Sequence, residues 1–293
     1  MKDPTSVRGV ALVTGASSGF GLLAAVELAR RGFRVFASMR DVSRREPLIA
    51  AAAAAGVQVE VVALDVTEPA SIDRALAEVR ARAGAIDVLV NNAGIGVLAA
   101  FEDTTEEELR RVFETNFFGV CAVTRAVLPE MRARRRGRIV NVASVGGRIG
   151  SPGVAAYSAS KFAVEGLSEA LSSELAGLGV EVAIVEPGMY RTPMIGPERR
   201  NLSPRAADPS SPYHERCAAI AGVMQDMHVH GGPDPREVAE AIGRAATDAK
   251  PRLRYPVGKD AQALLFLKQI LPERRFERVF EWLFRRTAAR VPA

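Results

Sequence analysis

Tyr157 and Lys161 stand four residues apart in a segment, 156–178, whose pattern predicts a helix. Helical spacing puts the two side chains on one face, a turn apart. A phenol with its ordinary pKa near 10 is a poor acid–base group at neutral pH. A neighbouring ammonium stabilises the phenolate and is expected to lower that value. Ser144, at the end of a predicted strand, adds a hydroxyl to the pair. A second constellation, Thr14-Gly15-Ala16-Ser17-Ser18-Gly19-Phe20-Gly21, follows a predicted strand and opens a predicted helix. In that setting Gly15 allows a tight turn, Gly19 a close approach of backbone to a pyrophosphate, and Gly21 close packing of helix on sheet. The free N–H groups at the helix start then face the phosphates. Taken singly, each pattern is weak, since a Tyr-x-x-x-Lys pair is common surface spacing and a glycine triplet is a common turn.

The end of the second predicted strand bears on which dinucleotide fits. An acidic side chain there normally holds the ribose hydroxyls of NAD. Here the place falls at Met39, and Arg40 follows, which suits an additional 2′-phosphate through charge-assisted bonds. Asp41 either orients Arg40 or neutralises it, and Ser17 offers a further donor. The expected cofactor is NADP(H). Asp65, with Val66 beside it, ends the third strand within reach of an adenine edge. Asp65 is alternatively a cap for the next helix, as is Thr67. Asn91-Asn92-Ala93-Gly94 closes the fourth strand, where Asn side chains bond their own backbone and hold a loop open beside a flat ring.

These residues need a scaffold that brings strand ends together. Strands are predicted at 10–13, 34–38, 59–64, 87–90, 139–142 and 180–185, with helices at 19–31, 50–55, 69–82, 105–131 and 156–178 between them, the fourth broken near its start. Strongly apolar strands alternating with helices require a parallel sheet covered on both faces, with right-handed crossovers. The expected fold is a single-domain α/β Rossmann-like doubly wound sheet over residues 1–293. Residues 188–234 depart from the rhythm, with a weak helix pattern at 213–227, and read as a substrate lid. A helix near 235, a strand near 252–255 and a helical extension over 260–293 follow. In that extension Phe276, Val279, Phe280, Leu283 and Phe284 recur at helical spacing between arginines.

Composition narrows the function. In 293 residues, 48% apolar and 25% charged side chains exclude a disordered chain. Two cysteines, Cys121 and Cys217, make no disulfide framework, and with three histidines they leave little for zinc. A reducing, cytoplasmic location is expected. The amino-terminal stretch does not read as a signal peptide, and no apolar run reaches the length that spans a bilayer. The net charge of +5 is mostly dispersed, and its one dense run, 132–138, reads as a solvated turn, so nucleic acid is not an expected partner.

Together the motifs resemble the short-chain dehydrogenase/reductase family over residues 7 to about 255. The likeness rests on residues 14–21, Asp65, Asn91–Gly94, Asn116, Ser144, Tyr157-Ser158-Ala159-Ser160-Lys161, and Pro187-Gly188 with Thr192. The resemblance implies that Tyr157 is the acid–base, that Ser144 holds the substrate oxygen, and that Lys161 lowers the Tyr157 pKa and bonds the nicotinamide ribose. It further implies that Asn116 holds a water linked to Lys161 and that Thr192 contacts the carboxamide. Asn is unfavourable inside a helix by propensity, a sacrifice compatible with function. The Met39-Arg40 pair, the 254–260 stretch and the tail resemble the NADP-preferring branch acting on steroids, retinoids and long-chain ketones. Phe20, where the family often carries a smaller residue, is not expected to disturb phosphate binding. The expected reaction interconverts a secondary alcohol and a ketone, or an alcohol and an aldehyde, by hydride transfer. Leu98, Val145, Met189, Tyr190, Met194, Ile195, Tyr213, Val223, Met224 and Met227 favour an apolar, bulky substrate. The alternatives are a small polar carbonyl compound, or an NADP-binding regulatory protein without turnover. A homodimer or homotetramer is expected, built on helices 105–131 and 156–178, and the Arg-rich tail leaves peripheral membrane contact open.

Overall fold

The computed structural model describes residues 8–192, 201–230 and 232–288, the side chains of 227–230 and 284–288 excepted. Seven parallel strands form one sheet in the order β3-β2-β1-β4-β5-β6-β7. They are β1 (Gly9–Val13), β2 (Phe33–Met39), β3 (Glu60–Ala63), β4 (Val88–Asn91), β5 (Gly137–Val142), β6 (Val180–Pro187) and β7 (Arg254–Val257). The strand order reverses between β1 and β4, so their connections leave in opposite directions and open a crevice at their carboxyl ends.

Alternation within each strand fills both faces. From β1, Ala11 and Val13 join the core under α1 (Gly19–Arg30) and α8 (Arg236–Thr247), with Leu28, Val238 and Ile242. Val10 and Leu12 point the other way, to Ile72 and Leu76 of α3 (Pro69–Ala83) and Val123 and Met131 of α5 (Gly119–Ala133). Truncating a fully buried leucine such as Leu76 costs about 3 kcal/mol. The remaining early helices are α2 (Glu46–Ala54), α4 (Glu106–Phe113) and α6 (Ala155–Glu174).

The helix expected at 105–131 is three pieces. A reciprocal capping box starts α4, with the Glu108 amide donating to Thr105 Oγ1 and the Thr105 amide to the Glu108 carboxylate. A π-helical turn, Glu114–Phe118, then interrupts the ladder before α5. The basic run at 132–138 is not merely a solvated turn. Arg134 pairs with Asp87 at 2.9 Å, and Arg138 donates to the Ala245 and Asp248 carbonyls and pairs with Glu181. Arg134 thus ties the end of α5 to the start of β4, and Arg138 ties the amino end of β5 to α8.

Beyond β6, residues 201–203 dock beside the β4–α4 connection. Leu98 and Leu202 form a parallel bridge, and the Leu98 amide donates to the Asn201 carbonyl at 2.6 Å. Helix α7 (His214–His230) follows. The tail is two helices, α9 (Lys259–Ile270) and α10 (Glu273–Ala288), separated at Pro272. Helix α10 buries Phe276 and stacks it on Phe280, 5.9 Å between centroids. Among the described residues no helix is long and apolar enough to cross a membrane.

Candidate active site

The glycine loop is shaped by what surrounds it. Gly15 adopts φ +70°, and a Cβ there would lie 2.7 Å from Ala93 Cα. A Cβ on Gly21 would sit 2.4 Å from both Asn92 Nδ2 and the Gly15 carbonyl. Thr14 Oγ1 accepts from the Asn92 and Ala93 amides, both at 3.0 Å. Asn92 Nδ2 returns bonds to the Thr14 and Gly15 carbonyls at 2.9 and 3.1 Å. The Asn92 side chain thus laces two loops together, rather than bonding its own backbone as expected. At the start of α1, Ser18 makes no side-chain cap, leaving backbone donors free for an anion.

Around this loop runs a cleft of about 160 Å³ lined by Gly15, Ser17, Gly19, Phe20, Arg40, Asp65, Val66, Asn92, Ala93, Gly94, Tyr157, Lys161 and Thr192. Gly21, Asn116, Ser144, Pro187 and Gly188 do not line it. A more open groove of about 570 Å³ lies around Arg135, Gly179 and Val180, at the amino ends of β5 and β6. Ligands of open parallel sheets bind at the carboxyl ends, so the smaller cleft is the candidate site. Its bare backbone at Gly15 and Gly19, uncapped helix start and cationic rim fit a dinucleotide.

At the rim, Met39 is buried and Arg40 exposed. Asp41 gives its carboxylate to the Ser43 amide and hydroxyl, at 3.0 and 2.6 Å, which also holds its pKa below the ordinary carboxylate value. No Arg40–Asp41 ion pair forms, so Asp41 does not neutralise Arg40. Asp65 accepts from the Thr67 amide and hydroxyl. The cap position of α3 is Glu68, neither Asp65 nor Thr67.

At the end of β5, Ser144 heads a short 3-10 turn. Its Oγ accepts from the Gly146 amide at 3.0 Å and donates to the Pro187 carbonyl at 3.4 Å. Burial raises the Tyr157 phenol above its ordinary value, and its bond with Ser144 pulls the other way. Lys161 therefore does not bring the phenol below its ordinary value in this structure, contrary to expectation. Its ammonium lies 5.7 Å from the Tyr157 ring centroid and donates to the Val142 carbonyl at 2.8 Å. Burial draws Lys161 down to about 8, with the Glu165 charge opposing.

Asn116 lies in the π turn, fully buried. Its side chain accepts from the Ile95 amide at 2.8 Å and donates to the Ile95 carbonyl and Ser160 Oγ, at 2.9 and 3.0 Å. It fastens the loop after β4 to α6, and those bonds occupy the side chain. π turns inside α-helices frequently mark functional sites.

The residues expected to contact substrate divide. Tyr190 is 1% exposed, stacks edge-on to Phe20 at 5.8 Å and donates to Glu237 at 2.8 Å, so it supports the glycine loop rather than facing a ligand. Leu98 is buried, and the Tyr213 hydroxyl goes to Glu102. Met189 is exposed, while Val145, Val223 and Met224 are half-buried. Met194 and Ile195 lie outside the described residues, as do the side chains of Met227 and Phe284. Sequence reasoning placed Thr14, Ser160 and Asp260 within motifs but gave them no role of their own. Asp260 receives the Met189 amide at 3.0 Å, tying α9 to the turn after β6. Sequence reasoning missed Glu165, although spacing of 157, 161 and 165 along one helix face was readable.

A family model described as short chain dehydrogenase matches residues 9–203. The chain is 42% identical to an uncharacterized oxidoreductase, YusZ, of Bacillus subtilis over 93% of this chain and 97% of that protein. It is 36% identical to a 3-ketodihydrosphingosine reductase of Bacteroides thetaiotaomicron, covering 87% and 90%, and 36% identical to retinol dehydrogenase 8 of Bos taurus, covering 89% and 85%. Among solved structures, a short-chain dehydrogenase from Streptomyces avermitilis superposes with TM-score 0.76 at 38% identity, covering 94% and 96%. A variant actinorhodin polyketide ketoreductase with NADPH gives 0.71 at 36%, covering 85% and 95%. A Burkholderia phymatum short-chain dehydrogenase/reductase in complex with NAD gives 0.77 at 27%, covering 89% and 92%. The chain belongs to the short-chain dehydrogenase/reductase family. It is an oxidoreductase of CH–OH and C=O groups that binds a nicotinamide dinucleotide.

Proposed function

We propose that this chain is an NADP(H)-dependent enzyme interconverting an apolar, bulky ketone or aldehyde with its alcohol. The observation that carries the reading is that Tyr157 and Lys161 line the cleft at the β1/β4 reversal, with Ser144 bonded to Tyr157. Gly15, Ser17, Gly19, Gly21 and the α1 amides would hold the pyrophosphate, Asp65 and Val66 the adenine, Asn92–Gly94 the ribose side, and Pro187, Gly188 and Thr192 the nicotinamide end. Bound there, the dinucleotide supplies or accepts the hydride. In the reducing direction Tyr157 enters as the neutral phenol, which its raised pKa maintains at neutral pH, and gives its proton to the substrate oxygen. Ser144 donates to the same oxygen. Lys161 keeps its charge below about pH 8 and stabilises the phenolate left behind. Oxidation runs the same proton backwards.

The apolar substrate is supported by relatives named for a ketosphingoid base and retinol. Residues 188–234 serve as the substrate lid within one domain, and the enzyme works as a cytoplasmic homo-oligomer, consistent with two unpaired cysteines. The test is Tyr157→Phe, which keeps the ring and removes the proton. A positioned acid–base contributes at least ~10²-fold, so kcat should fall by that much while NADPH binding persists. Activity within a factor of three or so of the parent would reject the assignment.

A further inference from the structure

Behind the reacting pair, α6 carries a third titratable group that the mechanism above does not use. Glu165 lies one turn beyond Lys161 and two beyond Tyr157, on the same helix face, and is 4% exposed. Its Oε2 accepts from Arg254 Nε at 3.1 Å, whereas its buried Oε1 has no hydrogen-bond partner. The same Arg254 nitrogen lies 3.2 Å from the carboxylate of Glu186, which is 1% exposed and immediately precedes Pro187. Glu186 is also bonded by Arg148 at 2.8 Å, and Arg254 reaches out to Glu169. The charged groups facing Glu165 are thus Lys161 and Glu169 from its own helix, Glu186 from β6, Arg254 from β7 and Arg148 from the turn after β5. Two buried carboxylates share one guanidinium nitrogen, and the one on the helix that carries Lys161 has an oxygen left over. Two like charges so placed disfavour simultaneous ionisation.

We propose that Glu165 is a positioning residue for the charge of Lys161. Glu165 and Lys161 act as one protonation unit whose state is set by the competition of Glu165 with Glu186 for Arg254. The inference rests on the assignment of Lys161 to the reacting group. An ionised Glu165 holds the ammonium on, and a protonated Glu165 releases that hold. Burial and the Glu186 charge push the Glu165 carboxyl well above the ordinary carboxylate range, against Arg254 and Arg148, while burial draws Lys161 down against the Glu165 charge. Purely structural carboxylates would stabilise the packing of α6 against β6 and β7 without moving the titration of Lys161.

The test compares Glu165→Gln with Glu186→Gln in the pH profile of kcat/KM for carbonyl reduction. Glu165→Gln removes the group that raises Lys161, so the alkaline limb should move to lower pH by about one unit. Glu186→Gln removes the charge that keeps Glu165 protonated and leaves Arg254 to it. Its alkaline limb should therefore move to higher pH, by roughly half a unit. Opposite shifts from two carboxyl-to-amide changes at one guanidinium are the signature, and unmoved limbs, or both moving the same way, overturn the proposal.

A second readout needs no turnover. Because the folded pKa of Glu165 is raised above 4.5 to about 8, its contribution to stability is present below pH 4.5 and lost as pH rises through 8. The Tm of the full chain should fall across that window in the parent and fall less in Glu165→Gln and Glu186→Gln. If Glu165→Gln does not fold, Glu186→Gln alone decides by the direction of its limb. If Tyr157→Phe retains activity, the function is wrong. If Tyr157→Phe is inactive and the limbs stay fixed, only this inference fails.

Discussion

A guanidinium in solvent is the weakest kind of evidence for a phosphate site, unless the neighbouring anion is already engaged elsewhere. At the end of β2 that condition is met, because Asp41 spends its oxygen on Ser43 and leaves Arg40 exposed at the cleft rim. A charge-assisted bond of this sort contributes about 2 kcal/mol, so Arg40→Ala should raise the KM for NADPH roughly thirtyfold. The KM for NADH should change much less, and steady-state kinetics with both cofactors checks it. Equal changes, or a parent preferring NADH, would remove Arg40 from the site. Most of the residues at this scale were legible because their partners are local: Tyr157 and Lys161 by helical spacing, the glycines by their place between strand and helix. Tyr190 was not. Its hydroxyl partner, Glu237, lies 47 residues away on α8, and no local pattern records that an aromatic ring packs under Phe20 rather than into the substrate space.

Elements position the site by how closely their backbones approach, and glycine reports this directly. Gly21 and Gly166 both lie in helices, α1 and α6, yet their surroundings are opposite. A Cβ on Gly21 meets the Gly15 carbonyl and Asn92 at 2.4 Å, whereas nothing lies within 4 Å of one on Gly166. Gly21→Ala must displace backbone, a strain of about 1–3 kcal/mol, and should lower the Tm and weaken cofactor binding together. Gly166→Ala gains about 1 kcal/mol of helix propensity and should raise the Tm by roughly 2 °C with kinetics unchanged. Thermal melts and NADPH titration of the two variants separate close packing from propensity. The order and type of the strands and longer helices before residue 187 were readable from periodicity, with ends off by a few residues, although the helix read as 105–131 is interrupted. The π turn was not, since its cause is tertiary. Asn116 must reach both Ile95 and Ser160, which belong to different parts of the chain. The buried ladder of Thr124, Asn91, Asn141 and Ser168 beneath the site was hidden for the same reason.

For the molecule as a whole, the question is where the carboxyl-terminal helices belong. Periodicity showed an apolar face on α10 without showing what covers it. The structure packs part of that face inward, with Phe276 buried, Val279, Phe280 and Leu283 half-buried, and α10 lying against α7 and α9. Helix α9 in turn holds the turn after β6 through Asp260, so the tail is mechanically connected to the cleft. The expected subunit contacts, by contrast, lie on the long helical segments at 105–131 and 156–178 and need not involve it. Deleting residues 274–293 should therefore leave a folded homo-oligomer with a lower Tm and a raised KM for the carbonyl substrate, while NADPH affinity stays near that of the parent. Light scattering and steady-state kinetics on the truncation decide this. A folded monomer would make α10 the subunit interface. An oligomer with unchanged substrate KM would cut the proposed connection from α10 through α9 to the cleft, and liposome binding present in the parent and lost on truncation would place the tail on a membrane surface instead.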